Sequence, residues 1–62
     1  MFITVTEVEG KERIRINVNN IITYKKTLCS DCALIILKNN LFHVVEETPE
    51  EIDEMVKKSL NS

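Results

Sequence analysis

Five consecutive apolar residues, Ala33 to Leu37, constrain the fold of this chain more than any other feature of its sequence. A continuous apolar run of this length is typical of a strand that is covered on both faces. Only one segment of the chain has the pattern of an amphipathic helix, and one helix covers one face of a sheet. The sequence therefore predicts that the second face of this strand meets another surface.

The segments around this run predict further short antiparallel strands. Ile3 and Val5 alternate with threonines in the first segment, and the cleanest alternation follows from Glu12 to Val18. Gly10 lies between them, where a hairpin turn needs a residue that tolerates positive φ. Asn19-Asn20 predicts a break, because asparagine side chains bond to nearby backbone and tolerate left-handed conformations. Lys38-Asn39-Asn40 predicts another hairpin turn. The predicted strands are residues 2–8, 12–18, 21–26, 33–37 and 41–45, the last with Leu41, His43 and Val45 on one face and Phe42 and Val44 on the other.

The strongest local signal marks a helix over residues 49–60. Thr48 is a side-chain N-cap, Pro49 occupies the first helical position, and Glu51 lies three residues after the cap. Acidic residues crowd the predicted start of the helix and lysines its end, as the helix dipole favours. One narrow apolar stripe is predicted to pack across the sheet, and it consists of Ile52, Met55, Val56 and Leu60.

These elements predict a single α+β domain over residues 1–62. Its small antiparallel sheet has about five short strands, arranged as two hairpins plus a strand, with one C-terminal amphipathic helix packed on one face. A chain of 62 residues buries only about 60% of the surface that it exposes when unfolded. Because stability at this size is marginal, we expect a homo-oligomer.

Charge and length argue against several classes of function. The net charge is −2 and the basic residues are scattered, which disfavours a nucleic-acid binder. No apolar run approaches the ~20 residues of a membrane span, and no export signal is evident, so we expect a cytoplasmic protein. Residues suited to act as acid, base and nucleophile do not converge, and His43 is interpreted as a surface or sheet-edge side chain. We therefore expect a protein without enzymatic activity.

Cys29 and Cys32 are separated by two residues, which is a spacing of zinc ligands. A structural zinc site has four ligands, so a site at this turn requires the cysteines of a second chain. Two unlinked thiols in a hairpin turn are the simpler interpretation, and no other cofactor is expected.

Two polar features allow alternative interpretations. Arg13 and Arg15 form a short polar stripe that can contact a phosphate or a carboxylate. Glu46 and Glu47 are interpreted as the solvated approach to the helix cap.

The order of these features resembles a known family. The residues that carry the resemblance are Val5-Thr6, Gly10-Lys11-Glu12, Ile16-Asn17, Asn20-Ile21-Ile22, Val44-Val45-Glu46-Glu47 and Glu50-Glu51-Ile52. Together they resemble the FlbD-like / SwrD family of small swarming-motility proteins, over nearly the whole chain. Cys29 and Cys32 depart from that pattern, which indicates a divergent member. The resemblance implies a cytoplasmic motility accessory that contacts another protein, and it implies no catalytic residue.

The sequence thus favours a protein-interaction module whose interface includes Leu34, Ile35, Ile36 and Leu37, divided between the core and a partner surface, together with Tyr24. One alternative is an oligomeric protein that binds zinc or a small ligand between subunits, through the cysteines or the arginine stripe. Another is an inhibitor of a host factor, encoded by a mobile element.

Overall fold

The structure, a computed structural model, describes residues 1–28 and 31–61. Five strands are followed by one helix, which confirms the predicted α+β class. The strands are β1 (Phe2–Thr6), β2 (Arg13–Asn17), β3 (Ile21–Lys26), β4 (Ala33–Leu37) and β5 (Phe42–Val45). The helix α1 spans Pro49–Asn61, and a short 3-10 helix, Val18–Asn20, joins β2 to β3.

The strands form two antiparallel sheets where the sequence predicted one. β1 pairs with β2, and β4 lies between β3 and β5. An isolated antiparallel bridge between Glu7 and Val45 brings the end of β1 beside β5. The Val8 N–H donates to the Val44 carbonyl over 3.0 Å, and the Glu46 N–H donates to the Thr6 carbonyl over 2.8 Å. These contacts place the strands in the spatial order β2, β1, β5, β4, β3.

The turns lie where glycine and asparagine predicted them. Gly10 has φ 80° and Lys11 has φ 54°, so the first turn uses two left-handed residues. β1 ends at Thr6, two residues earlier than predicted, because the chain turns toward β5 at Glu7. Asn40, with φ 66°, closes the turn between β4 and β5. The pairing of β3 with β4 contains a register shift between Ile21 and Thr23.

The predicted capping of the helix is confirmed. The Thr48 hydroxyl accepts a hydrogen bond from the Glu51 N–H over 3.1 Å, and the Glu51 carboxylate accepts one from the Thr48 N–H over 2.9 Å. Each residue thus satisfies a backbone donor that a helix start would leave unpaired. Pro49 is the first helical residue, as its fixed φ and missing N–H favour.

The core lies between the two sheets and the helix. Its buried side chains come from both sheets and from the helix, and they are Ile3, Val5, Ile16, Ala33, Ile35, Val45 and Ile52. Met55 and Val56 pack against this cluster from the helix. Leu60, predicted as part of the same stripe, is 59% exposed, because only the first half of the helix lies over the core. Among the described residues, no helix has the length and apolar character needed to cross a membrane.

Candidate interaction surface

The strand β4 divides its apolar residues between two faces, as strand geometry requires. Ala33 and Ile35 point into the core and are fully buried, and Leu37 packs against the same cluster. Leu34 and Ile36 point to the other side and are half-buried. The predicted interface residues Ile35 and Leu37 therefore belong to the core, and Leu34 and Ile36 remain as surface candidates.

The neighbouring strand β5 extends this outward surface. Leu34 is paired with Val44, and Ile36 is paired with Phe42. Directly opposed residues of an antiparallel pair project on the same face, so the four side chains form one apolar group. Phe42 is 64% exposed and Val44 is 37% exposed. We call this group, Leu34, Ile36, Phe42 and Val44, the outer apolar face; the helix packs on the opposite side.

Phe42 and Val44 were absent from the predicted interface. The alternation in the fifth strand placed both residues on a common face, which β5 confirms. That signal does not say which face is inward until the strand is paired. The register with β4 supplies this information, because Val45 is opposite Ala33 and both are fully buried.

Two hollows of opposite charge flank Val44. The first, of about 470 Å³, lies toward β3; its lining residues are Lys25, Lys26, Thr27, Leu28, Leu34 and Val44. The second, of about 260 Å³, lies toward the end of β1; its lining residues are Glu7, Val8, Glu9, Phe42, His43 and Val44. We call them the lysine hollow and the glutamate hollow. Lys26 and Glu7 are paired with the core residues Ala33 and Val45, so they share the helix side of the sheet. The apolar surface between the hollows is therefore bordered by Lys25 on one side and by Glu9 on the other.

Tyr24 lies on the helix side of the sheet. It is paired with the core residue Ile35, and its hydroxyl donates a hydrogen bond to the Asp53 carboxylate of α1. This hydrogen bond, partial burial and the negative charge of Asp53 raise the pKa of Tyr24 to about 12. Tyr24 therefore ties the helix to β3, and its ring is not on the outer apolar face.

Of the two acidic residues before the helix, Glu46 is exposed, as predicted, whereas Glu47 is half-buried and makes specific contacts. Glu47 accepts hydrogen bonds from the Thr6 N–H over 2.8 Å and from the Thr6 hydroxyl over 3.1 Å. Glu46 accepts a hydrogen bond of 2.7 Å from the Lys11 ammonium. That bond and the attraction between the two charges raise the pKa of Lys11. Glu47 thus joins the first strand to the segment that leads into the helix, while the exposed ion pair of Glu46 contributes little.

His43 is half-buried, and its Nδ1 lies 3.0 Å from a carboxylate oxygen of Glu7. The two residues meet across the same bridge that joins β1 to β5, since Glu7 is paired with Val45. This contact accounts for the position of the histidine beside the glutamate hollow. It supports the local pairing of two strands that are distant in sequence.

The cysteine pair is only partly described. Cys32 is half-buried and has a free thiol, and Cys29 lies outside the described residues. The Cys32 carbonyl accepts a hydrogen bond from the Thr27 N–H over 3.1 Å. Within residues 1–28 and 31–61, no group of three or more His, Cys, Asp and Glu side chains is arranged to hold a metal ion.

The arginine stripe lies on the first sheet, away from the outer apolar face. The Arg15 guanidinium stacks 5.2 Å from the centre of the Phe2 ring, a cation–π contact. Arg13 lies at an open groove of about 550 Å³ that also includes Lys58 and Met55 of the helix. Arg15 thus has an intramolecular partner, and the two arginines do not converge on one enclosed site.

The described residues form a small α+β protein with an exposed apolar group on β4 and β5. Comparisons with protein-family models, with curated proteins and with solved structures found no match.

Proposed function

We propose that this chain is a protein-interaction module without enzymatic activity, and that it docks through the outer apolar face. The observation that carries the proposal is the set of four adjacent apolar side chains on the side of the sheet opposite the helix. Each exposed hydrophobic residue alone is ordinary on a protein surface, but a contiguous group is typical of an interaction site. A phenylalanine that is 64% exposed is a suitable anchor for a partner's pocket.

The open form of the surface also favours protein binding over catalysis. Small-molecule sites are usually concave and enclose most of the ligand, with a few convergent polar groups. Here the polar groups, Lys25 and Glu9 among them, lie at the two sides of an apolar strip. An apolar centre with a charged rim is the usual anatomy of a protein interface.

Site-specific photo-crosslinking in the native host tests this proposal. A photoreactive amino acid replaces Phe42 in one variant and Leu60, which is 59% exposed on the helix, in a control variant. We expect an adduct from position 42 that disappears in the Leu34→Asp background, and none from position 60. Urea unfolding of each variant establishes that the fold is retained. Equal adducts from the two positions, or an adduct that survives Leu34→Asp in a folded protein, would contradict the proposal.

We further infer, from the resemblance to the FlbD-like / SwrD family alone, that the partner process is motility and that the protein acts in the cytoplasm. A host strain that lacks the gene should swarm abnormally. Complementation with the Leu60→Ser variant should restore swarming, and complementation with Phe42→Ser should not. Normal swarming of the deletion strain would contradict the motility assignment but would leave the proposal of a docking surface unaffected.

A further inference from the structure

We propose that the occupant of the outer apolar face is a second copy of this chain, related to the first by a two-fold axis that lies in the interface parallel to the strands. This inference rests on the proposed function, since it uses the same docking surface. It adds the identity of the partner and the orientation of the two chains.

The positions of the charges across the sheet support a second copy. Lys25 is opposite Leu34, Leu34 is opposite Val44, and the Val8 N–H bonds to the Val44 carbonyl. Across the strands, the order of neighbours is therefore Lys25, Leu34, Val44 and Val8. Val8 is followed directly by Glu9. The surface is acidic at one end of this series and basic at the other, which is the pattern of a self-complementary patch.

Symmetry determines which orientation uses this pattern. A two-fold axis parallel to the strands exchanges the two sides of the sheet, so each lysine hollow faces the glutamate hollow of the partner subunit. Lys25 then approaches Glu9 of the partner subunit, and the same contact occurs a second time. A two-fold axis across the strands would instead bring Lys25 against Lys25 of the partner subunit. Two lysines in contact repel each other, so the charges favour the axis parallel to the strands.

The size of the surface requires the hollows to take part. The two strands β4 and β5, each about 4.8 Å wide and with about five residues of 3.4 Å, give an apolar face of roughly 10 by 17 Å. A stable dimer buries about 800 Å² on each partner, which exceeds this face. Val8, 40% exposed, and Leu28, fully exposed, extend the apolar surface into the two hollows. In the proposed aligned packing, the two-fold axis would bring each Val8 to the side of the partner subunit that carries Leu28, so both residues would add to the contact area.

Charge reversal tests the partner and the axis together. Dissociation constants are measured by sedimentation equilibrium at low salt, with chain concentrations up to about 1 mM, the weak end of specific affinities. We expect the wild-type chain to dimerise, and we expect Lys25→Glu and Glu9→Lys each to weaken dimerisation about tenfold, less at high salt. The double variant Lys25→Glu/Glu9→Lys should return to within about threefold of wild type, because it restores both contacts. Lys57→Glu, an equal change of charge on the helix, should leave the constant unchanged.

Each other result overturns the proposal. A wild-type chain that stays monomeric, or a dimer that Phe42→Ser does not weaken, excludes a second copy on this face. A double variant as weak as the single variants excludes the proposed axis. Failure of the dimer proposal is distinguishable from failure of the proposed function. If the chain is monomeric and position 42 crosslinks to a different protein, the outer apolar face is still a docking surface, and only the proposal that its occupant is a second copy is refuted. A crosslinked adduct with the mass of two chains supports both.

Discussion

Ile52 is the residue whose replacement should most clearly separate packing from helix formation. It is fully buried, and it is the only residue of α1 among the fully buried core side chains of the described chain. The replacement Ile52→Val removes one methyl group from the contact between the helix and the sheets. Such a deletion costs about 0.5–1.5 kcal/mol, because it loses transfer free energy and leaves a small cavity.

This cost is large for a protein of this size. A free energy of unfolding of about 0.05–0.15 kcal/mol per residue gives roughly 3–9 kcal/mol for 62 residues. Urea lowers the stability of a small domain by about 1 kcal/mol per molar, so Ile52→Val should lower the urea midpoint by roughly 0.5–1.5 M. Unfolding is followed by circular dichroism at one fixed protein concentration, since association through the outer apolar face would stabilise the folded state.

Leu60→Ala is the matched control for this experiment. It shortens a side chain on the same helix, but Leu60 is 59% exposed, so its effect should stay within about 0.5 kcal/mol. If Ile52→Val and Leu60→Ala shift the urea midpoint equally, the helix is not held by the core contact at Ile52. That result would refute the packing described here.

Two further predictions concern the Tyr24–Asp53 hydrogen bond and the Thr48 cap of the helix. Tyr24 is the only tyrosine of the chain, so phenolate absorbance reports on it alone. Its pKa should be about 12 in the folded protein and lower in folded Asp53→Ala, where the hydrogen bond and the charge are lost and only partial burial still raises it above the ordinary value near 10. Because the pKa is raised by folding, the resulting stabilisation is complete below pH 10 and is lost as the pH rises through about 12; a native titration near 10 would contradict the Tyr24–Asp53 contact. Thr48→Ala should lower the free energy of unfolding by about 1 kcal/mol in urea titrations, because the Glu51 N–H loses its partner. Thr48→Ser, which keeps the hydroxyl, should cost less than Thr48→Ala, and equal losses would argue against the cap.

The helix start and the turns were predictable because their causes are local. The Thr48 to Glu51 capping box depends on four consecutive residues, and it forms as the sequence indicates. The turns lie at Gly10 and Asn40, two residue types that tolerate positive φ, although the first turn also places Lys11 at positive φ, which its residue type does not signal. The length of β1 was overestimated because its end is set by a bridge to Val45, which is remote in sequence.

The candidate surface was predictable only in part, because it depends on the pairing of strands and not on local sequence alone. The continuous apolar strand indicated two covered faces, but alternation alone does not identify which of its residues point outward. Pairing with β5 decides this, and it adds Phe42 and Val44 to the outer face. Tyr24 lies on the helix side, and not at the predicted interface, because its register places it opposite the core residue Ile35. The contact of Glu47 with Thr6 joins residues 41 positions apart, and no local pattern signals it.

The register shift between Ile21 and Thr23 has a consequence for how far association can proceed. β3 forms the border of the three-stranded sheet, where an unpaired strand offers a template for further strands. A bulge distorts that template, and Lys25 and Lys26 on the same strand repel an identical border. Face-to-face contact about a two-fold axis, in contrast, occupies the apolar face of both chains at once. In the proposed dimer, growth through the β3 border would be disfavoured while pairing across the face would be self-limiting, so an assembly built through these two surfaces would close at two chains.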